Sequence, residues 1–287
     1  MTRKVLFVVH SARDEAQTIA AQAAAGLMAQ GISVAVTPAD SDAAELAHLP
    51  VIDSASDSEL VIVFGGDGTI LRGVEVARSA DVPVLGVNLG HVGFLAEAEP
   101  DDLAALLDVV INRKWSVEER FALTATTTGA EDQQWSTWAL NDIAIEKFTR
   151  EHLAELMVSI DDRPVSRWAC DGLLVSTPTG STAYAFSAGG PVVWPEVDAM
   201  LVVPVSAHAL FARPLVVAPD SVINIDVVNG PVVISADGRR TFDLSAGASI
   251  KVTRSTQAVK LARIHQTPFT ERLVAKFALP VHGWRAH

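Results

Sequence analysis

Val61-Ile62-Val63-Phe64-Gly65-Gly66-Asp67-Gly68-Thr69 marks the junction of a strand and a helix. A short apolar run ends in three glycines wrapped around one carboxylate, and a helical pattern, Ile70 to Arg78, follows. Apolar runs bounded by glycine read as buried strands. A glycine-rich turn between strand and helix lets backbone N–H groups approach a phosphate closely. Asp67 is the odd member. A loop built to attract phosphate oxygens has no electrostatic use for a carboxylate unless that group binds a cation or accepts a proton. The plainer alternative is a tight turn with Asp at a capping position, although three glycines in four positions exceed what a simple turn needs.

Outward from this stretch the first third of the chain alternates. Val5 to Val9, Ile32 to Val36 and Val84 to Val87 read as further strands. Arg13 to Gln30 is Ala-rich and helical with Gly31 as its stop, and Pro100-Asp101 opens a helix running to about Ile111. This order predicts a Rossmann-like α/β domain, residues 1–115, with a parallel sheet covered on both faces. Near Trp115 the pattern changes to short Val-, Thr- and Ile-rich runs, with Asp162-Arg163-Pro164 and Asp237-Gly238 as turns. The expectation is a β-sandwich-like all-β domain over 116–264. Residues 265–287 form a tail whose helical stretch, Pro268 to Phe277, returns to the first domain.

Bulk composition narrows the function. With 287 residues, 49% hydrophobic and a mean hydropathy of +0.29, the chain builds one large or two ordinary domains easily. No apolar run approaches the roughly 18 residues of a membrane span. Val5 to Val9 after Arg3 and Lys4 is too short for a signal peptide, and His10, Arg13, Asp14 and Glu15 follow at once. A formal charge of −12 and a pI near 5.0 disfavour nucleic acid and anionic membranes as partners. Cys170 is the single cysteine, so no intrachain disulfide forms and a cytoplasmic protein is expected.

Three further motifs carry chemistry. Asn88 to Leu95 places Gly90, His91 and Gly93 after a strand, where ligands of open α/β sheets bind. His91 reads as a loop tether or a catalytic group, and Phe94 as core or one wall of a ring-binding slot. Leu140-Asn141-Asp142-Ile143 sets an amide beside a carboxylate; this is either an Asx-type bend or a pair suited to ribose hydroxyls. The longest runs from Cys170-Asp171-Gly172 through Ser176-Thr177-Pro178-Thr179-Gly180-Ser181-Thr182-Ala183-Tyr184 to Ser187. It is dense in hydroxyls and ends on the only tyrosine. Loops of that length in compact domains are usually functional. There is no G-x-x-x-x-G-K-[ST] loop, G-x-G-x-x-G fails at Leu71, no His/Cys set has zinc spacing, and no metal-ligating residues are assigned.

Together these motifs resemble the NAD kinase family, and the tail from Phe269-Thr270-Glu271-Arg272-Leu273 to Gly283-Trp284-Arg285 looks like its actinobacterial members. The glycine loop alone is shared with lipid kinases and phosphofructokinases; the Asn-Asp pair and the Thr-Pro-Thr-Gly-Ser-Thr-Ala-Tyr run are far more specific. The resemblance implies Mg²⁺- (or other divalent cation-) dependent transfer of the terminal phosphoryl group of ATP or polyphosphate to the 2′-hydroxyl of the adenosine ribose of NAD, giving NADP. It implies that Asp67 is the catalytic carboxylate and that Gly65, Gly66, Gly68 and Thr69 face the donor phosphates. For NAD it implies Asp67, Gly68, Phe94, Asn141, Asp142, Asp171, Thr182, Ala183, Tyr184 and Ser187, with Asp171 reaching a dinucleotide held mainly by a neighbouring subunit. A homodimer or homotetramer follows from that sharing. Asp142 departs from the commoner Glu by one methylene, and Val205-Ser206 replaces two asparagines. A lipid kinase and a non-catalytic dinucleotide sensor are the competing readings.

Overall fold

The computed structural model describes residues 3–41, 43–88, 93–96, 103–129, 134–264 and 267–281. Two compact units are distinguished, Met1–Glu119 with Val259–His287, and Arg120–Ala258.

In the first unit the chain runs β1 (Lys4–Val9), α1 (Asp14–Ala29), β2 (Ser33–Val36), β3 (Leu60–Phe64), α2 (Asp67–Arg78), β4 (Val84–Val87), α3 (Leu103–Asn112) and β5 (Ser116–Arg120). After the second unit it returns as β18 (Val259–Arg263) and α5 (Phe269–Phe277). The sheet order is β2-β1-β3-β4-β18-β5, and the β1–β2, β1–β3, β3–β4 and β4–β18 pairs are parallel. Such a sheet needs cover on both faces. On one side Val5, Phe7, Leu60, Ile62 and Phe64 pack with the alanines of α1 and with Leu106 and Val110 of α3. On the other, α2 lies so close that a Cβ on Gly73 would meet Val63 Cγ2 at 2.3 Å. Every residue of β3 is buried, which is why its sequence reads as a continuous apolar run.

Two details differ from the sequence pattern. The helix after the glycines begins at Asp67, not Ile70, with Gly66 as its cap. Asp67, Gly68 and Thr69 are weak helix formers, but their backbone continues the turn: Thr69 N–H and Ile70 N–H donate to Gly66 O at 2.9 and 3.0 Å. The strand Val259–Arg263, grouped by its sequence with the β region, pairs with β4 of the α/β sheet. Gly90, His91 and the expected helix start at Pro100-Asp101 lie outside the described residues, as do Gly283, Trp284 and Arg285.

The second unit is an antiparallel sandwich. Its strands are β6 (Leu123–Thr128), β7 (Gln134–Ala139), β8 (Asp142–Lys147), β9 (Ala154–Ile160), β10 (Arg163–Cys170) and β11 (Gly172–Ser176). A short helix α4 (Tyr184–Ser187) precedes β12 (Met200–Val205), β13 (Leu215–Val217), β14 (Ile223–Asn229), β15 (Val232–Ala236), β16 (Arg240–Leu244) and β17 (Ser249–Arg254). One sheet runs β10-β9-β14-β17-β6-β7 and the other β13-β12-β11-β8-β15-β16. Their facing residues, such as Leu156, Val158 and Ile225 against Ile143, Leu173 and Val202, make the core. In β9 buried positions alternate with partly exposed ones, as expected of a sheet wet on one face. β11 is buried throughout because its outer face is covered as well: Ala185 of α4 packs on Leu174, Leu201 and Val203. The sequence therefore shows a featureless apolar run where the hydroxyl-rich segment folds back over the sheet.

The β9–β10 turn is Asp161-Asp162, both left-handed at φ 52° and 61°, rather than Asp162-Arg163-Pro164. Asp tolerates that region, and Pro164 sits in edge strand β10 beside a register shift, where a missing N–H costs little. Asp237 and Gly238 are also left-handed, at 54° and 63°, as a primed hairpin turn requires.

Candidate active site

In the first unit the site is the exit of β3. A Cβ at Gly65 would lie 2.5 Å from Thr69 Oγ1, so the loop closes only over glycine. At Gly66 and Gly68 a Cβ would meet nothing within 4 Å. Packing does not demand glycine there; the bare backbone is open to a ligand. These residues lead into the first turn of α2, the positive end of its dipole, where the Asp67 and Gly68 N–H groups have no carbonyl within the helix.

Asp67 sits at that turn. Its Oδ2 accepts from Phe94 N–H and its Oδ1 from Leu95 N–H, both at 3.2 Å. Two amides thus hold the carboxylate, while its remaining lone pairs can take a further donor. The Phe94 ring is buried, with the rings of Phe269 and Phe277 at 5.7 and 6.0 Å.

In the second unit the Asn141-Asp142 corner and the hydroxyl-rich segment interlock. Asn141 O accepts from Thr177 N–H at 2.9 Å and Ser176 Oγ at 3.1 Å. Thr177 Oγ1 donates to Leu140 O at 2.5 Å and accepts from Gly180 N–H at 3.0 Å. Gly180 is packed so tightly that a Cβ would stand 2.0 Å from Asn141 O. Asp237 secures the other side of the corner. Its Oδ2 and Oδ1 accept from Leu140 N–H at 3.1 Å and Asn141 N–H at 2.6 Å, and Arg240 pairs with it at 3.0 Å.

The acids around this corner are not ordinary. Asp142 opens β8 almost fully buried, and burial, with Asp237 and Glu146 nearby, pushes its carboxyl up to about 7. Burial also raises Asp237, partly offset by the Asn141 and Leu140 amides and Arg240. Tyr184 donates to Glu146 Oε1 at 2.8 Å. Burial first, then that bond, then the charges of Glu146, Asp142 and Asp171 push its phenol to about 12. Asp171 pairs with Lys147 at 2.6 Å, which holds its carboxyl below the usual range. Cys170, by contrast, is buried with its thiol pushed up to about 11, so it is an inert core residue.

The structure thus groups Asp142, Glu146 and Asp171 about Tyr184, and sets Thr182 and Ala183 in the turn that leads into Tyr184. Thr182 Oγ1 donates to Thr179 O at 3.3 Å. Ser187 ends α4 exposed to solvent. Sequence reading missed Glu146, Asp237 and the Phe94–Leu95 amides. The Asp237-Gly238 turn was visible, but the partners of its carboxylate lie far off in sequence.

A glycine loop running into a helix that begins with a carboxylate, and a β unit carrying hydroxyls, an amide and one tyrosine, define a glycine-loop phosphotransferase. The sequence model of the ATP-NAD kinase N-terminal domain matches residues 5–115, and that of the ATP-NAD kinase C-terminal domain residues 140–264. The chain is 51% identical to NAD kinase 2 of Streptomyces coelicolor over 99% of its own length and 97% of that protein. It is 49% identical to the NAD kinase of Thermobifida fusca over 99% and 91%. Among solved structures it resembles yeast NADH kinase complexed with NADH, with a TM-score of 0.91 and 25% identity over 100% of this chain and 90% of that one. An NAD kinase from Archaeoglobus fulgidus in complex with ATP shares the fold, with a TM-score of 0.72 and 23% identity over 97% and 99%. The chain belongs to the NAD kinase family.

Proposed function

We propose that the chain performs its family's reaction, ATP-dependent phosphorylation of NAD, with Asp67 as the group that receives the acceptor's proton. The 2′-oxygen of the adenosine ribose bonds to the terminal phosphorus of the donor, the bond to the bridging oxygen breaks, and the hydroxyl proton passes to Asp67. Gly65, Gly66, Gly68 and Thr69 hold donor phosphates at the positive end of α2. Phosphoryl transfer depends mainly on positioning and charge neutralisation, and a carboxylate fixed by two amides supplies positioning. The observation that carries the assignment is that Asp67, held by Phe94 and Leu95, stands in a glycine loop whose backbone is open at Gly66 and Gly68.

In the second unit, the main chain of Asn141 is committed to Asp237, Ser176 and Thr177, so its side-chain amide is the group offered to NAD. Asp142 is shorter than the family's Glu and buried, so its part is to shape the corner beside Asn141. Asp171, Thr182, Ala183, Tyr184 and Ser187 complete the dinucleotide contacts. Among the described residues no group of three or more His, Cys, Asp and Glu side chains is placed to hold a metal ion. The divalent cation is read as arriving with the donor phosphates. Polyphosphate is read as an alternative donor at the same loop.

The protein is read as a cytoplasmic homodimer or homotetramer. Exposed Phe186, Trp194, Leu210 and Phe211 in the second unit support self-association. No described helix is long and apolar enough to cross a membrane. Family membership sets aside the lipid-kinase alternative.

Purified protein given NAD, Mg²⁺ and ATP, or polyphosphate in a parallel assay, is expected to form NADP. A general base contributes roughly 10²–10⁴ in rate, so Asp67→Asn should lose at least about a hundredfold. Near-full turnover by a normally folded Asp67→Asn would remove the base assignment. Tight NAD binding without any turnover would make the protein a sensor.

A further inference from the structure

Asp67 is the first residue of α2, yet its carboxylate's bonds among the described residues come from outside that helix. The two donors come from a short segment outside helix and strand, Gly93 to Ala96. That segment is itself gripped from behind. Arg272 of α5 donates through Nη1 to Phe94 O and Ala96 O, both at 3.2 Å. Arg263 of β18 donates to Leu95 O at 3.3 Å.

One peptide group is shared by both sets of bonds. The amide joining Phe94 to Leu95 gives its N–H to Asp67 Oδ1 and its C=O to Arg272. In a planar trans peptide these groups point in opposite directions; the described chain has no cis bond. A guanidinium on the oxygen polarises the amide and strengthens the hydrogen bond its N–H makes to a carboxylate. The result is a line from cation to amide to anion, set entirely within the first unit.

We propose that Arg272 is a positioning residue for the reaction, acting through the Phe94–Leu95 peptide to hold the Asp67 carboxylate. This rests on the role of Asp67 proposed above. The tail helix fits such a task better than it fits a share of the core: none of its residues is buried. Phe269 and Phe277 place α5 against the Phe94 ring, which aims Arg272 at the carbonyls on either side of Leu95. The acceptors ask for a donor at this position, so a lysine serves in part and an uncharged side chain of similar length does not.

The test is steady-state NADP formation by Arg272→Met, Arg272→Lys, Arg272→Ala with and without methylguanidinium, Asp67→Asn and the double variant Asp67→Asn/Arg272→Met, with melting temperatures for each. Misplacing a catalytic group by about 1 Å can cost on the order of a hundredfold. Arg272→Met is accordingly expected to lose roughly ten- to a hundredfold in kcat with KM for NAD and ATP held. Arg272→Lys recovers part of that loss, and methylguanidinium added to Arg272→Ala restores turnover. In the Asp67→Asn background the second substitution costs nothing further, because the group it positions is gone. Full turnover by Arg272→Met, an additive loss in the double variant, or a loss that follows the melting temperature and resists the Lys variant would each overturn the proposal. Failure of the underlying reading shows separately: wild-type protein makes no NADP, or Asp67→Asn stays active, and the inference falls with it.

Discussion

A methyl group on Gly93 would lie 2.5 Å from Oδ1 of Asp67 and 3.2 Å from its Cγ. The backbone of the segment that donates to the carboxylate therefore passes as near to it as a chain can. Gly93→Ala would meet the end of a side chain, which can swing aside, and not a backbone atom. The cost falls on the position of the carboxylate rather than on folding. Turnover is expected to drop on the order of ten- to a hundredfold, with the melting temperature nearly unchanged. Parallel losses of activity and stability would show that Gly93 serves packing instead.

Gly180→Ala is the opposite case. Its Cβ would stand 2.0 Å from a backbone carbonyl, Asn141 O, and 2.6 Å from Ser176 Oγ. That carbonyl already accepts from Ser176 and Thr177 and cannot retreat without breaking the corner. Overpacking of this kind costs about 1–3 kcal/mol or more. Thermal or urea unfolding should register that loss, and the KM for NAD should rise with it. An unchanged melting temperature would mean that the segment tolerates displacement from the Leu140–Asn141 corner.

The buried acids give a signed pH dependence. Asp142 has its carboxyl raised from 3.8 to about 7 by burial and by the neighbouring Asp237 and Glu146, with Tyr184, Arg240 and the Asp171–Lys147 pair also in the cluster. The folded state therefore holds a proton that the unfolded chain releases at lower pH. The stabilisation is complete below about pH 4 and disappears as pH rises through about 7. Asp237 is shifted in the same direction and adds to the slope. Asp142→Asn keeps a neutral side chain throughout. It should melt above the wild type at about pH 8, with the gap closing toward about pH 5. Melting curves that run parallel across this range would contradict the shift.

These sites also mark where sequence stops being informative. Glycine punctuation and continuous apolar runs are local, so β3, its loop and the helix beyond it are legible, as is the approach of β11 to the hydroxyl-rich segment. The first turn of α2 was not, because weak local propensity at Asp67-Gly68-Thr69 is overridden by the strand it follows. Pro164 drew the hairpin turn one residue too far, since an edge strand can carry a proline that a central strand cannot. Asp237 looked like a turn residue because its Gly neighbour is adjacent, whereas Leu140 and Asn141 are distant in sequence. Arg272 carried no signal at all: an Arg in an amphipathic tail helix says nothing about which carbonyls it will meet.

Tyr184 separates two contributions that the sequence offers together, a ring face and a hydroxyl. The hydroxyl already donates to Glu146 Oε1 at 2.8 Å. The face of the half-buried ring is what remains for a base or sugar. Tyr184→Phe removes the hydrogen bond and keeps the face. A bond to a charged group is worth about 1.5–3 kcal/mol, so this variant should lose stability while its KM for NAD stays close to the wild type. Tyr184→Ala removes both and should raise that KM at least about tenfold, since stacking on a base is worth roughly 1–3 kcal/mol. If Tyr184→Phe raises the KM as much as Tyr184→Ala, the hydroxyl leaves Glu146 for the dinucleotide when substrate binds, and the bond seen here belongs to the free enzyme alone.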